Sequence, residues 1–223
     1  MKLETERLIL RNYKITDIED YWEYVSQEKV GPMCGWPQYT DKQKAVERLA
    51  IEIAKPNQFA IVWKENNKVI GSVELMDYKP ERYETEAEKE NSKEMAFLLH
   101  EGYWGKGIMP EACRAVMKYA FEKLKVPSIF IGHAEANKQS GRVQEKLGFR
   151  ITGRRENYRE WLDGKTTALI GRKMTRQEYL DNPIYQNLQI KVKDTKLGLL
   201  EEKLWATKLD TRERLKLKRT DCF

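Results

Sequence analysis

The chain contains no run of about 18 apolar residues, so no membrane-spanning helix is expected. The stretch Met1 to Arg11 lacks the apolar core of a secretory signal. Cysteine is scarce and odd in number. Cys34, Cys113 and Cys222 stand far apart, with neither metal-ligand spacing nor a disulfide framework. A reducing, cytoplasmic compartment and no bound metal are therefore expected. A dominant charge sign is also missing: 41 Lys and Arg against 35 Asp and Glu leave +6, spread along the chain. That balance suits an anionic ligand or a solvated surface better than a dedicated nucleic-acid surface. There is no internal repeat. What the chain does have is 40% hydrophobic residues over 223 positions, enough to build a core for one large domain, or one domain with an extension.

Periodicity and turn chemistry predict strands and helices in alternation. Strands are expected at 6–12, 59–63, 69–76, 94–100, 128–133, 149–154 and 166–172. The Glu65-Asn66-Asn67 turn joins the second and third of these, and Asp163-Gly164 turns between the last two. Helices are expected from an Asp17 cap to Tyr24, and from Asp41 with Ala45, Leu49 and Ile53 at four-residue spacing. Further helices are expected at 110–124, from the Asn137/Ser140 region to Leu147 with Gly148 ending it, and at 175–180. Residues 31–37 read as a loop, and 79–93 as a charged, exposed connection. This order implies an α/β fold with a mixed sheet and helices on both faces, occupying residues 1–180. Residues 181–223 are a basic extension. Leu197, Leu200, Leu204, Trp205 and Leu209 suggest an amphipathic helix there, which would either pack on its own domain or serve as a dimer arm.

The stretch richest in information is Gly102-Tyr103-Trp104-Gly105-Lys106-Gly107, between the strand ending near His100 and the helix opening at Pro110. Glycines at a helix mouth let the backbone approach an anion, and first-turn N–H groups and the helix dipole favour its charge. A P-loop is excluded because Gly105-Lys106 is followed by Gly107 rather than Ser or Thr. A dinucleotide fingerprint is excluded because Pro110 stands where its third glycine belongs. A tight strand-to-helix turn with no ligand remains the plain alternative.

Four motifs in order carry a resemblance. They are Leu3-Glu4-Thr5-Glu6-Arg7-Leu8-Ile9-Leu10-Arg11, Val69-Ile70-Gly71-Ser72-Val73, Tyr103 to Gly107 with Glu111-Ala112, and Asn137, Ser140, Arg142, Val143, Glu145 through Phe149. Over residues 3 to 180 the chain resembles the GNAT superfamily of N-acetyltransferases, and within it the Rim-type branch that acetylates ribosomal-protein N-termini. The resemblance implies a central sheet splayed to admit the pantetheine arm of acetyl-CoA. It implies that Phe97, Leu98 and Leu99 pair with that arm, and that the amides of Gly102, Tyr103, Trp104, Gly105, Lys106 and Gly107 hold the diphosphate. Asn137 would reach the pantetheine, though an Asn there can equally cap a helix. Lys106 and Arg142 could meet phosphate charge. Many relatives place a tyrosine proton donor four residues after the Ser140 position, where this chain has Gln144. In the Rim-type branch a serine at the position of Ser140 takes that role, although a serine there can also simply bond to backbone.

The reaction needs a neutral amine, a polarised thioester carbonyl and a proton for the leaving thiol. An α-amine has a pKa of roughly 7.7–8 and a lysine about 10.4, so an N-terminal acceptor tolerates a weak base where a lysine demands about 4 kcal/mol of deprotonation at neutral pH. Glu94 and Glu74 are the candidate bases; His100 and His133 read as structural. Met33, Trp36 and Tyr39 could border the acceptor groove. Three functions stay open: acetylation of a protein N-terminus, acetylation of a small amine (polyamine, amino sugar or antibiotic), and non-catalytic acyl-CoA binding. A monomer and a homodimer both remain possible.

Overall fold

The computed structural model describes residues 1–80, 91–160 and 163–193. Among the described residues nine strands form one mixed sheet flanked by helices, in the order β7-β8-β6-β5-β4-β3-β2-β1-β9. The strands are β1 Lys2–Glu4, β2 Leu8–Arg11, β3 Gln58–Trp63, β4 Lys68–Asp77, β5 Lys93–Leu99, β6 Ser128–Ala134, β7 Arg150–Glu160, β8 Thr166–Thr175 and β9 Lys191–Lys193. The contacts divide the chain into two compact units, and β4 and β5 each contribute to both.

The first unit comprises Met1–Val73, Leu98–Lys106 and, of the described residues beyond 190, Lys191–Lys193. β1, β2 and β3 pair antiparallel, with Leu3↔Leu10 and Leu10↔Ile61 in register. Alternation in β2 buries Leu8 and Leu10 and leaves Ile9 and Arg11 half-buried, as a strand with one covered face requires. Helix α1 (Ile18–Val25) follows a short 3-10 turn, Ile15–Asp17. Asp17 does not cap α1 as expected. Its carboxylate turns back to grip Arg11 at 2.7 and 2.8 Å and to accept the Lys14 N–H at 2.8 Å, because a fixed guanidinium fork outcompetes a helix amide for a carboxylate. Residues 31–37, expected as loop, begin within a helix, α2 (Val30–Cys34), which Gly35 ends at φ 95°. Pro32 is tolerated there because it sits in the first turn, where its missing N–H has no helical partner. Helix α3 (Lys42–Ala54) is as read: Asp41 accepts the Gln43 N–H at 2.9 Å, and Ala45, Leu49 and Ile53 are buried. They pack with Tyr13, Tyr21 and Tyr24, and Leu98 and Trp104 lie against the same cluster. β9 covers the outer edge of β1, with Leu3↔Val192 in register.

The second unit comprises Glu74–Phe97 and Gly107–Ile190. Helix α4 (Ile108–Lys118) begins two positions before Pro110, with Gly107 as its N-cap, and runs into a wider turn, Tyr119–Lys123. The buried face of α4 includes Met109, Ala112, Cys113, Val116 and Met117. β6 pairs antiparallel with β8 along its whole length, and β8 with β7. Helix α5 (Lys138–Lys146) connects β6 to β7, and Gly148 (φ 77°) turns the chain after it. Helix α6 (Arg176–Asp181) opens with a capping box in which Thr175 and Glu178 satisfy each other's backbone N–H groups. Helix α7 (Pro183–Gln186) follows at once, and the buried Tyr185 hydroxyl donates to the Leu147 carbonyl at 2.6 Å. Ordered elements thus continue past residue 180. The amphipathic helix expected near 197–209 and most of the charged connection, residues 81–90, lie outside the described residues.

Candidate active site

The glycine segment is organised by His100. Its Nδ1 accepts the Gly102 N–H at 2.9 Å, and its Nε2 lies 3.0 Å from both Glu23 Oε1 and Gln27 Nε2. Lys68 closes on both oxygens of Glu23 and, as the leading cause, holds that carboxyl below its ordinary range. The amides of Tyr103 and Trp104 donate to the carbonyls of His100 and Glu101, both at 3.0 Å. The expected cradle is therefore narrower than the whole of 102–107, because the first three of its amides are used to build the turn. The amides of Gly105 and Lys106 make no main-chain hydrogen bond among the described residues. Gly105 and Gly107 both adopt the left-handed region, at φ 75° and 73°, which a side chain would strain. A Cβ on Gly105 would meet nothing within 4 Å. No side chain caps the start of α4. The open space and left-handed turn at Gly105 in the first unit, and the uncapped amides at the start of α4 in the second, are each suited to an anion. Arg7 pins the segment by donating to the Lys106 carbonyl at 3.1 Å. The Lys106 ammonium lies 5.2 Å from the Tyr103 ring, and Tyr103 packs edge-on against Trp63.

Other expected ligands have structural duties. The Trp104 indole N–H donates to the Leu99 carbonyl at 2.8 Å. Gly71 lets β4 approach β5 closely: a Cβ there would fall 2.3 Å from the Leu98 carbonyl oxygen. Trp36 and Tyr39 meet edge-on at 5.2 Å and pack against the core of the first unit, with the Trp36 ring lying over Gly31. Met33 is half-buried.

In the second unit the ladder between β5 and β6 is short. It holds Lys93↔Ile129 and Glu94↔Phe130 and stops there, while β6 goes on pairing with β8 to Ala134↔Leu169. The parallel strands part at Glu94, which is 4% exposed. Phe97, three positions on, is half-buried. A gap opening between two parallel strands is where an extended ligand can enter a sheet. Glu74, on β4, is half-buried.

Asn137 caps α5: its Oδ1 accepts the Ser140 N–H at 3.1 Å. Ser140 is half-buried; among the described residues its hydroxyl makes no backbone hydrogen bond, and its Oγ accepts the Gln144 amide N–H at 3.2 Å. Gln144 is fully buried, and its Oε1 lies 3.0 Å from His133 Nδ1. Burial lowers the His133 pKa from its ordinary value, so the ring is neutral at neutral pH. Arg142 is exposed on the same helix. Sequence reasoning treated Gln144 only as a missing tyrosine and His133 as packing. The signal that could have joined them was the i, i+4 spacing of Ser140 and Gln144. Beside Asn137, a surface depression of ≈ 320 Å³ is lined by Glu135, Glu156 and Asp163 and by Lys138, Arg154 and Lys165. Nothing in the sequence pattern announced it, because β7, β8 and the start of α5 form it together.

Comparison with known proteins identifies the family and the fold. The acetyltransferase (GNAT) domain family matches residues 7–150. An uncharacterised N-acetyltransferase, p20, of Bacillus licheniformis is 26% identical over 184 residues, covering 79% of this chain and 97% of the relative. A GNAT-family acetyltransferase of Bacillus anthracis has a similar fold, with a TM-score of 0.69 at 22% identity over 80% of this chain and 100% of that one. The ribosomal-protein-S5-alanine acetyltransferase of Vibrio fischeri gives 0.64 at 21% identity, covering 80% and 98%. The spermidine N-acetyltransferase of Vibrio cholerae, solved with CoA and spermine, gives 0.65 at 17% identity, covering 79% and 100%. A splayed parallel strand pair, a glycine segment opening a helix, and a family match over residues 7–150 lead to one conclusion: the chain belongs to the GNAT family of acetyltransferases and uses acetyl-CoA.

Proposed function

We propose that this N-acetyltransferase acts on a protein N-terminal α-amine, with Ser140 serving the leaving thiol and Glu94 receiving the amine's proton. The observation that carries this reading is the parting of β5 and β6 at the buried Glu94, in the unit whose α5 presents a hydroxyl not tied to backbone. Bound acetyl-CoA supplies the acetyl group as a thioester. Gly105, Lys106 and Gly107 hold its diphosphate through their amides. Glu94 accepts the proton that the amine nitrogen loses as the C–N bond forms; Glu74 is the alternative acceptor. The C–S bond breaks with its electron pair remaining on sulfur, and Ser140 gives its hydroxyl proton to that sulfur as its charge develops. Solvent then re-protonates Ser140 while Glu94 releases the amine's proton to solvent, so no net proton is gained or lost.

One consideration supports an α-amine acceptor. It is about a tenth neutral at pH 7, so a single carboxylate suffices as base. The neighbouring folds include both a ribosomal-protein acetyltransferase and a spermidine acetyltransferase, so acetylation of a small amine is the second reading. Thiol release measured with ribosomal-protein N-terminal peptides, polyamines and amino sugars separates the two. Turnover on peptides and none on spermidine is expected; the reverse would replace the first reading with the second. Ser140→Ala should lower kcat at saturating acetyl-CoA by roughly 100-fold, and unchanged turnover would remove Ser140 from the mechanism.

A further inference from the structure

We infer that Gln144 and His133 are positioning residues that aim the Ser140 proton, an inference that rests on the reading of Ser140 given above. Ser140 has one proton to give, and its neighbours decide where that proton points. Gln144 donates its amide N–H to Ser140 Oγ, which occupies an oxygen lone pair and leaves the serine proton for another acceptor. The opposite orientation of the same amide would present Oε1 to the serine, and Ser140 would then spend its proton on Gln144.

His133 selects between these orientations. Its Nδ1 lies 3.0 Å from Gln144 Oε1. A ring protonated on Nδ1 donates to that oxygen and holds the amide so that its nitrogen faces Ser140. A ring protonated on Nε2 would invite the reverse. Gly141, buried on α5, gives the imidazole its place, for a Cβ there would lie 2.8 Å from His133 Nε2. β6 thus supplies the histidine, and one turn of α5 supplies the serine, the glycine and the glutamine. The charged groups around this ring are Arg172 on β8 and Lys138 and Glu145 on α5. Gln144 itself is fully buried, so its amide cannot turn over by exchanging partners with water.

Nitrogen-15 NMR of the imidazole rings in the free protein reads this directly. The chain has two histidines, and an Nδ1–H tautomer is expected for His133. An Nε2–H tautomer at His133 would overturn the inference. In kinetics, Gln144→Glu replaces the donor with an acceptor. It should lower kcat roughly 10- to 100-fold while the KM for acetyl-CoA stays within about twofold. In a Ser140→Ala background the same substitution should cause no further loss; additive losses would refute the coupling. Because Gln144 is buried and a carboxylate there puts folding at risk, Gly141→Ala provides the second arm. Alanine favours the helix, so melting temperature should hold while the displaced imidazole lowers kcat and changes the His133 ring shifts. Wild-type kcat with unchanged ring shifts in Gly141→Ala would overturn the inference. If Ser140→Ala alone leaves turnover intact, the serine assignment falls and this inference with it. If Ser140→Ala is impaired and Gln144→Glu is not, only the positioning role is lost.

Discussion

Glu94 and Glu74 carry the same functional group in different settings, and the setting is what chemistry requires. Glu94 is 4% exposed at the point where two parallel strands part, whereas Glu74 is half-buried on the neighbouring strand. If Glu94 is the base, Glu94→Gln abolishes the acidic limb of the kcat/KM profile and lowers kcat/KM roughly 100-fold or more, while Glu74→Gln keeps the limb. A retained limb in Glu94→Gln with a lost limb in Glu74→Gln would exchange their roles. Asn137 shows why a residue type alone decides little. It was legible as a helix cap or as a pantetheine contact, and its Oδ1 is committed to the cap. Asp17 makes the same point in reverse, since Arg11 claims the carboxylate that the helix was expected to use.

At the scale of elements, close approach between strands sets a second constraint. β4 reaches β5 across Gly71, where an added Cβ would be 2.3 Å from the Leu98 oxygen and 3.0 Å from the Leu99 Cα. Both are backbone atoms and cannot step aside. Gly71→Ala should therefore destabilise the protein by about 1–3 kcal/mol, read as a lower melting temperature, and an unchanged melting curve would refute that account. The glycine segment behaves differently. A Cβ on Gly105 finds open space, so Gly105→Ala meets only the strain of φ 75°. It should weaken acetyl-CoA binding by calorimetry more than it lowers the melting temperature, because an alanine there disfavours the left-handed turn that aims the amides. Strand and helix existence was legible because period-2 and period-3.6 burial is written locally, as in β2 and α3. The α2 helix was missed because Gly31 and Pro32 look like breakers, and both fall in a first turn that tolerates them.

For the whole molecule, protonation links to stability with one sign. The His133 pKa is lowered by burial from its usual 6.5, so the unfolded chain binds that proton more readily than the folded one. Stability from this group is fully present above about pH 6.5 and is lost as the pH falls through the folded-state value. Glu23, bonded to Lys68, and Glu178, held by Thr175 and Arg150 against the opposing effect of its own burial, are also lowered, from 4.5, and act in the same direction at lower pH. Thermal melting should accordingly decline in two stages on acidification, the first beginning near pH 6.5. His133→Asn should remove the first stage and leave the second; a first stage that survives the substitution would assign it elsewhere. The sequence by itself determined that strands alternate with helices, that a glycine segment opens a helix, and which family the chain resembles, because these depend on neighbours within a few residues. Only the tertiary structure decided which amides of that segment remain available, where β5 leaves β6, and that His133 on one element meets Gln144 and Ser140 on another. Those outcomes depend on which groups compete for the same hydrogen bonds once distant strands and helices are brought together, and no local pattern records that competition.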